Sequence, residues 1–79
     1  MEEKFGEKLR ACRKAKRLRL REVAAAAEMS EGYISRLEHG KVNPGFAMVL
    51  RLSKALDVDI VDLIPTGEEV ERHEEKISA

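Results

Sequence analysis

Within seven residues, Ser30, Glu31, Gly32, Ser35 and Arg36 set out a hydroxyl, a carboxylate, a bare position, a second hydroxyl and a guanidinium. If this run is helical, Glu31 stands over Ser35 and Gly32 over Arg36, because residues four apart share a helix face. The strip offers outward donors and acceptors, and a guanidinium can make two parallel bonds to a planar pair of acceptors. This is the chemistry of recognition rather than of bond-making. Catalysis has almost nothing to work with: His39 and His73 are far apart, no Cys or His stands at metal-ligand spacing, and no nucleophile lies beside a plausible base. No glycine-rich phosphate loop is present either. The chain is therefore not expected to be an enzyme, and no metal or cofactor is expected. His39 reads as a surface residue whose charge suits a helix C-terminus.

Such a strip needs a rigid support. Val23, Ala24 and Ala27 form a small apolar helix face just before it, and Ser30 is a residue type that caps free amides at a helix start. Ile34 and Leu37 then point the second helix back at the first. Alanine at position 24 leaves room for two helices to cross closely, at about 90–120°. A helix braced this way, with its N-terminal end projecting, fits a DNA major groove. The arrangement is a helix-turn-helix. In that setting Arg36 can bond guanine O6 and N7, or grip a phosphate instead. Glu31 can accept from cytosine N4, or repel phosphates from wrong sites.

The remaining elements follow from periodicity. Phe5, Leu9 and Cys12 repeat at i, i+4 and i+7, which predicts a first helix from about Glu3 to Lys16. The second should cover Leu20 to Ala27 and the third Glu31 to His39, ended by Gly40. After the loop Lys41-Val42-Asn43-Pro44-Gly45, a fourth helix would put Phe46, Val49, Leu50, Ser53 and Leu56 on one side. A short fifth, capped by Asp57 or Asp59, would hold Ile60, Leu63 and Ile64 and stop at Pro65. Residues 1–65 thus read as one domain. Residues 66–79 read as a charged tail in which Thr66-Gly67-Glu68-Glu69 has capping-box form, with Val70 and Ile77 as a weak apolar stripe.

Composition narrows the class further. At 79 residues there is room for one modest core, and helix formers dominate over only two prolines and three aromatics, so an all-α fold is expected. A 43% hydrophobic and 38% charged chain suits a compact domain, and no apolar run approaches the ~18 residues needed to cross a bilayer. Met1-Glu2-Glu3-Lys4 lacks a signal-peptide character, so a cytoplasmic location is expected. The lone Cys12 reads as a small core residue. The net charge is zero, but residues 1–21 carry nine basic against three acidic side chains, +6 in all. The balance is −3 over 22–65 and −3 again over 66–79. Nucleic-acid binding needs a local cationic face more than a cationic total.

Three segments make the reading specific: Phe5-Gly6-Glu7-Lys8-Leu9-Arg10, the run Tyr33-Ile34-Ser35-Arg36-Leu37-Glu38-His39-Gly40-Lys41, and Asn43-Pro44 followed by Leu52-Ser53-Lys54-Ala55-Leu56. Over residues 4–65 the chain resembles the Cro/CI family, the lambda-repressor-like or XRE helix-turn-helix regulators. The resemblance implies a five-helix domain that binds operator DNA, usually palindromic, as a two-fold dimer, with no small-molecule ligand expected. It puts Glu31, Gly32, Ser35 and Arg36 at the bases. It puts Arg19, Arg21, Ser30, Tyr33, Lys41 and Asn43 at phosphates, and makes Arg13 and Glu38 an internal ion pair between helices 1 and 3. The chain departs from the family pattern at Arg19-Leu20, where a Ser/Thr cap and Gln are usual, at Glu28, where glycine is common, and at Gly32, which lacks a reading side chain.

Val58, Ile60, Val61 and Ile64 cannot all face inward on one short helix, because successive residues diverge by about 100°. They are expected to form a patch that joins two copies. The chain is expected to be a DNA-binding regulator, a repressor in family terms; the alternative is a protein-interaction or antitoxin-like module that kept the fold and lost the groove. Leu20, Glu31 and Gly32 favour that alternative, and the cationic N-terminal segment opposes it.

Overall fold

A computed structural model describes residues 2–65. The tail helix expected at 66–79 lies outside the described residues. Four α-helices follow one another: α1 Glu2–Ala15, α2 Leu20–Ala27, α3 Glu31–Glu38 and α4 Phe46–Leu56. A 3-10 turn at Ile60–Asp62 comes after them. No strand occurs among the described residues, and no described helix is long and apolar enough to cross a membrane.

The expected fifth helix is corrected by this turn. Its bonds run from Asp62 N–H to Asp59 O and from Leu63 N–H to Ile60 O, three residues back rather than four. Pro65 follows five residues after the turn begins and disfavours the helical conformation at Ile64 before it, so a full α-turn has no room to propagate.

Phe5 and Leu9 of α1, Val23, Ala24 and Ala27 of α2, and Ile34 and Leu37 of α3 meet Val49, Leu52 and Leu56 of α4 and Leu63 in one buried cluster. α1 packs on α3, and α2 packs on both α3 and α4. The face expected for α4 is also corrected. Val49, Leu52, Ser53 and Leu56 are buried, whereas Phe46 is 72% exposed and Leu50 lies at the surface. Phe46 shares the spacing of the buried face but sits in the first turn of α4, beyond the reach of the core. Leu50 is about 100° off that face.

All four helices end alike. Arg17, Glu28, Gly40 and Asp57 take the left-handed conformation, with φ between 57° and 69°. The next amide reaches back five residues in each case: Leu18 to Arg13 O, Met29 to Ala24 O, Lys41 to Arg36 O and Val58 to Ser53 O, at 2.9–3.1 Å. This pattern satisfies carbonyls that a helix end leaves free. Leu18, Met29 and Val58 then pack against the core, so three of the four stops also anchor the following loop. Only one of the four left-handed positions is a glycine. Each of the others costs about 1 kcal/mol of backbone strain.

Candidate nucleic-acid interface

The interface is built on α3, and α3 is held from two sides. Its buried edge, Ile34 and Leu37, is fully enclosed in the core, with α1 and α2 packed against α3. Its N-terminus is capped by Ser30, whose Oγ accepts the Tyr33 N–H at 3.0 Å. At its C-terminus Glu38 takes both prongs of Arg13: Nε donates to Oε2 at 2.6 Å and Nη2 to Oε1 at 3.1 Å. The same guanidinium donates through Nη1 to the Leu18 carbonyl at 2.9 Å. The Glu38 bond holds the Arg13 pKa above its ordinary value, outweighing the opposing effect of burial. One side chain thus ties the end of α1, the loop after it and the end of α3 together.

α1 can approach that closely because of Gly6. A Cβ there would lie 2.5 Å from Leu37 O and 2.6 Å from Glu38 O, inside the backbone of α3. The α2–α3 corner is clamped as well, by a residue that sequence reasoning missed. Arg51 of α4 donates from Nη2 to Ala27 O at 2.8 Å and to Glu28 O at 3.2 Å. Its guanidinium also stands 3.7 Å from the Glu28 carboxylate, an exposed pairing of little energetic weight. The carbonyl bonds matter more. They satisfy the last carbonyls of α2 where Glu28 occupies the strained left-handed position. No local motif marks Arg51, since its partners are more than twenty residues away in sequence.

On the outward edge of α3, Glu31, Gly32 and Arg36 are exposed and Ser35 is half-buried. The Arg36 guanidinium lies 5.9 Å from the centre of the Tyr33 ring, within cation–π range, and Tyr33 itself rests partly on the core. The Ser35 carbonyl accepts the His39 N–H at 3.0 Å and lies 2.8 Å from His39 Nδ1. Arg19 and Arg21 are exposed at the start of α2, and Lys41 and Asn43 are exposed in the loop after α3. Arg19 takes the N-cap position without a capping side chain. The Glu22 carboxylate instead accepts the Arg19 N–H at 2.7 Å. Leu20 packs against the core, which accounts for an apolar residue there.

The four residues expected to join two copies divide into pairs. Val58 and Ile60 are half-buried against the core. Val61 is 67% exposed, and Ile64 is exposed beside Phe46 in an apolar cleft of about 200 Å³ that Phe5, Pro44 and Val49 complete. Cys12, half-buried on α1, points its thiol toward Asp62 O at 3.8 Å. Burial, with Asp62 nearby, pushes that thiol's pKa up.

Known proteins share this architecture. The fold superposes on the restriction-modification controller protein C.AhdI of Aeromonas hydrophila with a TM-score of 0.77 and 32% identity, over 80% of this chain and 96% of that one. It superposes equally well, at 0.77 and 34% identity, on the clp gene regulator ClgR of Corynebacterium glutamicum, over 78% of this chain and 80% of that chain. In sequence the chain is 36% identical over 73 residues to the transcriptional regulator ClgR of Mycobacterium tuberculosis, which is 91% of this chain and 65% of that protein. The chain spans between 30% and 65% of the length of the curated relatives it matches. The helix-turn-helix domain description fits residues 4–64, from the residue before Phe5 to the last apolar residue before Pro65. The clamped corner of α2 and α3 and this match lead to one assignment: the chain belongs to the helix-turn-helix domain family, as its resemblance to the Cro/CI regulators implied.

Proposed function

We propose that the chain binds double-stranded DNA sequence-specifically, with the N-terminal edge of α3 in the major groove, and regulates transcription as a repressor. One observation carries the reading. α3 has an outward edge of Glu31, Gly32 and Arg36 free of any fold role, while its opposite edge and both its ends are locked to the body. A rigid helix that exposes donors and acceptors suits reading of base edges. Arg36 reads a guanine in this proposal, and Ser35 and Glu31 flank it. Ser30, Tyr33, Arg19, Arg21, Lys41 and Asn43 hold phosphates on either side. The similar proteins are named as transcriptional regulators and controllers, which agrees with this use of the fold.

The DNA-binding unit is residues 1–65, with 66–79 as a charged extension. A second copy docks on the exposed apolar surface of Phe46, Leu50, Val61 and Ile64, because solvent otherwise meets four large apolar side chains on one small domain. Two-fold pairing would set two recognition helices about 34 Å apart, one turn of DNA. A Val61→Asp variant should then sediment as one chain where the wild type sediments as two.

Fluorescence anisotropy with a random duplex across a salt series tests the central claim. Binding should weaken steeply, with a log–log slope of roughly −0.9 for each phosphate contact. Negligible binding at low salt would favour the protein-interaction module instead. With a selected duplex, Arg36→Ala should erase preference at one base pair, at a cost of about 1–3 kcal/mol, rather than weaken every sequence alike.

A further inference from the structure

Two glycines lie inside helices, and they stand in opposite situations. At Gly6 a side chain would collide with the backbone of α3, so the fold itself requires glycine. At Gly32 the space is open. Among the described residues, and apart from the backbone of α3 itself and the two adjoining residues, the single heavy atom within 4 Å of a Cβ built there is Arg36 Nη1 at 3.5 Å, an ordinary contact with the far end of a flexible side chain. Gly32 is exposed, and it is not among the residues with positive φ. Nothing in the domain asks for glycine at this position, and a helix is weaker for having it. A bare position on an exposed helix is useful where another surface must come right against the backbone.

The neighbours of Gly32 say which surface that is. Glu31 and Arg36 flank it on the exposed edge, and Ser30 caps the helix two residues before it. We propose that Gly32 is a specificity-determining contact, whose missing side chain lets base edges meet the α3 backbone directly. This rests on the DNA-binding reading above. A Cβ would hold the helix out of the groove by roughly the width of a methyl group, since apolar contact begins near 4 Å. Because α3 is locked at both ends and along its buried edge, it cannot tilt to compensate, and Arg36 and Ser35 are withdrawn with it. The loss therefore falls on base reading, while phosphate contacts from Arg19, Arg21 and Lys41 keep their reach. Arg36 keeps its place over Tyr33, because the added methyl meets its tip only at 3.5 Å.

The test uses the full chain, a duplex that the wild type selects from a random DNA pool, and a duplex of random sequence. Gly32→Ala should melt at the same temperature as the wild type or higher. Its affinity for the selected duplex should fall about tenfold, which is 1.4 kcal/mol, and that of Gly32→Met further still. Affinity for the random duplex should hold. A Gly32→Ala chain that binds the selected duplex within about threefold of wild type, ~0.7 kcal/mol, overturns the proposal and leaves the DNA-binding reading standing. Equal losses on both duplexes overturn it too. A wild-type chain that enriches no sequence and shows no salt-dependent binding overturns both.

Discussion

Replacing Glu38 by alanine removes the acceptor for two of the three hydrogen bonds of Arg13 and leaves its guanidinium in a site only 12% exposed. The carboxylate it loses is more buried still, at 4%. Stranding one partner of such a pair costs about 3–5 kcal/mol, because the remaining charge is kept from water without compensation. Native stability runs to roughly 0.05–0.15 kcal/mol per residue, so a domain of this size has little more than that to lose. Glu38→Ala should be largely unfolded, or nearly so, at 37 °C. The double variant Arg13→Met/Glu38→Leu should recover most of the loss, since no charge is left buried and the volume is kept, although the bond to Leu18 O is gone. Urea denaturation followed by far-UV circular dichroism, on the wild type, Arg13→Met, Glu38→Leu and the double, gives the coupling directly, with Glu38→Ala measured beside them. A Glu38→Ala cost below ~1 kcal/mol would mean that solvent reaches Arg13 freely. A double variant as unstable as the sum of the singles would mean that the two residues act independently, with neither a pair energy nor a stranded charge between them. Either result refutes the reasoning.

Three further outcomes follow from the same geometry. Gly6→Ala gains up to ~1 kcal/mol of helix propensity but must push α1 off the Leu37 and Glu38 carbonyls, so a net loss of about 1–3 kcal/mol is expected as a lower melting temperature. Arg51→Met keeps the stem of the side chain and removes the bonds to Ala27 O and Glu28 O, which should cost about 1–2 kcal/mol. If Glu28→Gly is made as well, the relief of left-handed strain should restore about 1 kcal/mol in the same melt. The raised pKa of Cys12 makes its neutral thiol the form that the fold favours. That contribution is fully present below the thiol's unfolded value and is lost as pH rises through the folded one. Alkylation by iodoacetamide at pH 8 should therefore run slower in the folded chain than in urea, and the gap should close at higher pH.

Periodicity and capping chemistry carried most of the helix map. Ser30 before a run with Ile34 and Leu37 located the start of α3, and Phe5 and Leu9 located the buried face of α1, because these signals are local and repeat within a turn or two. The same logic failed at Phe46 and Leu50, which have the right character for a core but lie outside the volume that the other helices enclose. It failed for the fifth helix because residues 60–65 are too few, against a proline, for propagation to repay a costly start.

Local sequence was enough for the order and type of α1 to α4, the apolar stripes that α1, α2 and α3 bury, and the identity of the outward residues on α3. All of these depend on neighbours within about four positions. Tertiary structure alone decided how firmly that edge is held. Arg51 on the corner carbonyls and Gly6 against the Leu37 backbone join residues at least 23 positions apart, and the Arg13–Glu38 pair, of similar span, could be expected only through the family resemblance. Contacts of that span leave no periodic trace in a chain, because they exist only once the helices have closed on one another. The empty space around Gly32 is of the same kind: a glycine can be told from a requirement only when its surroundings are in place.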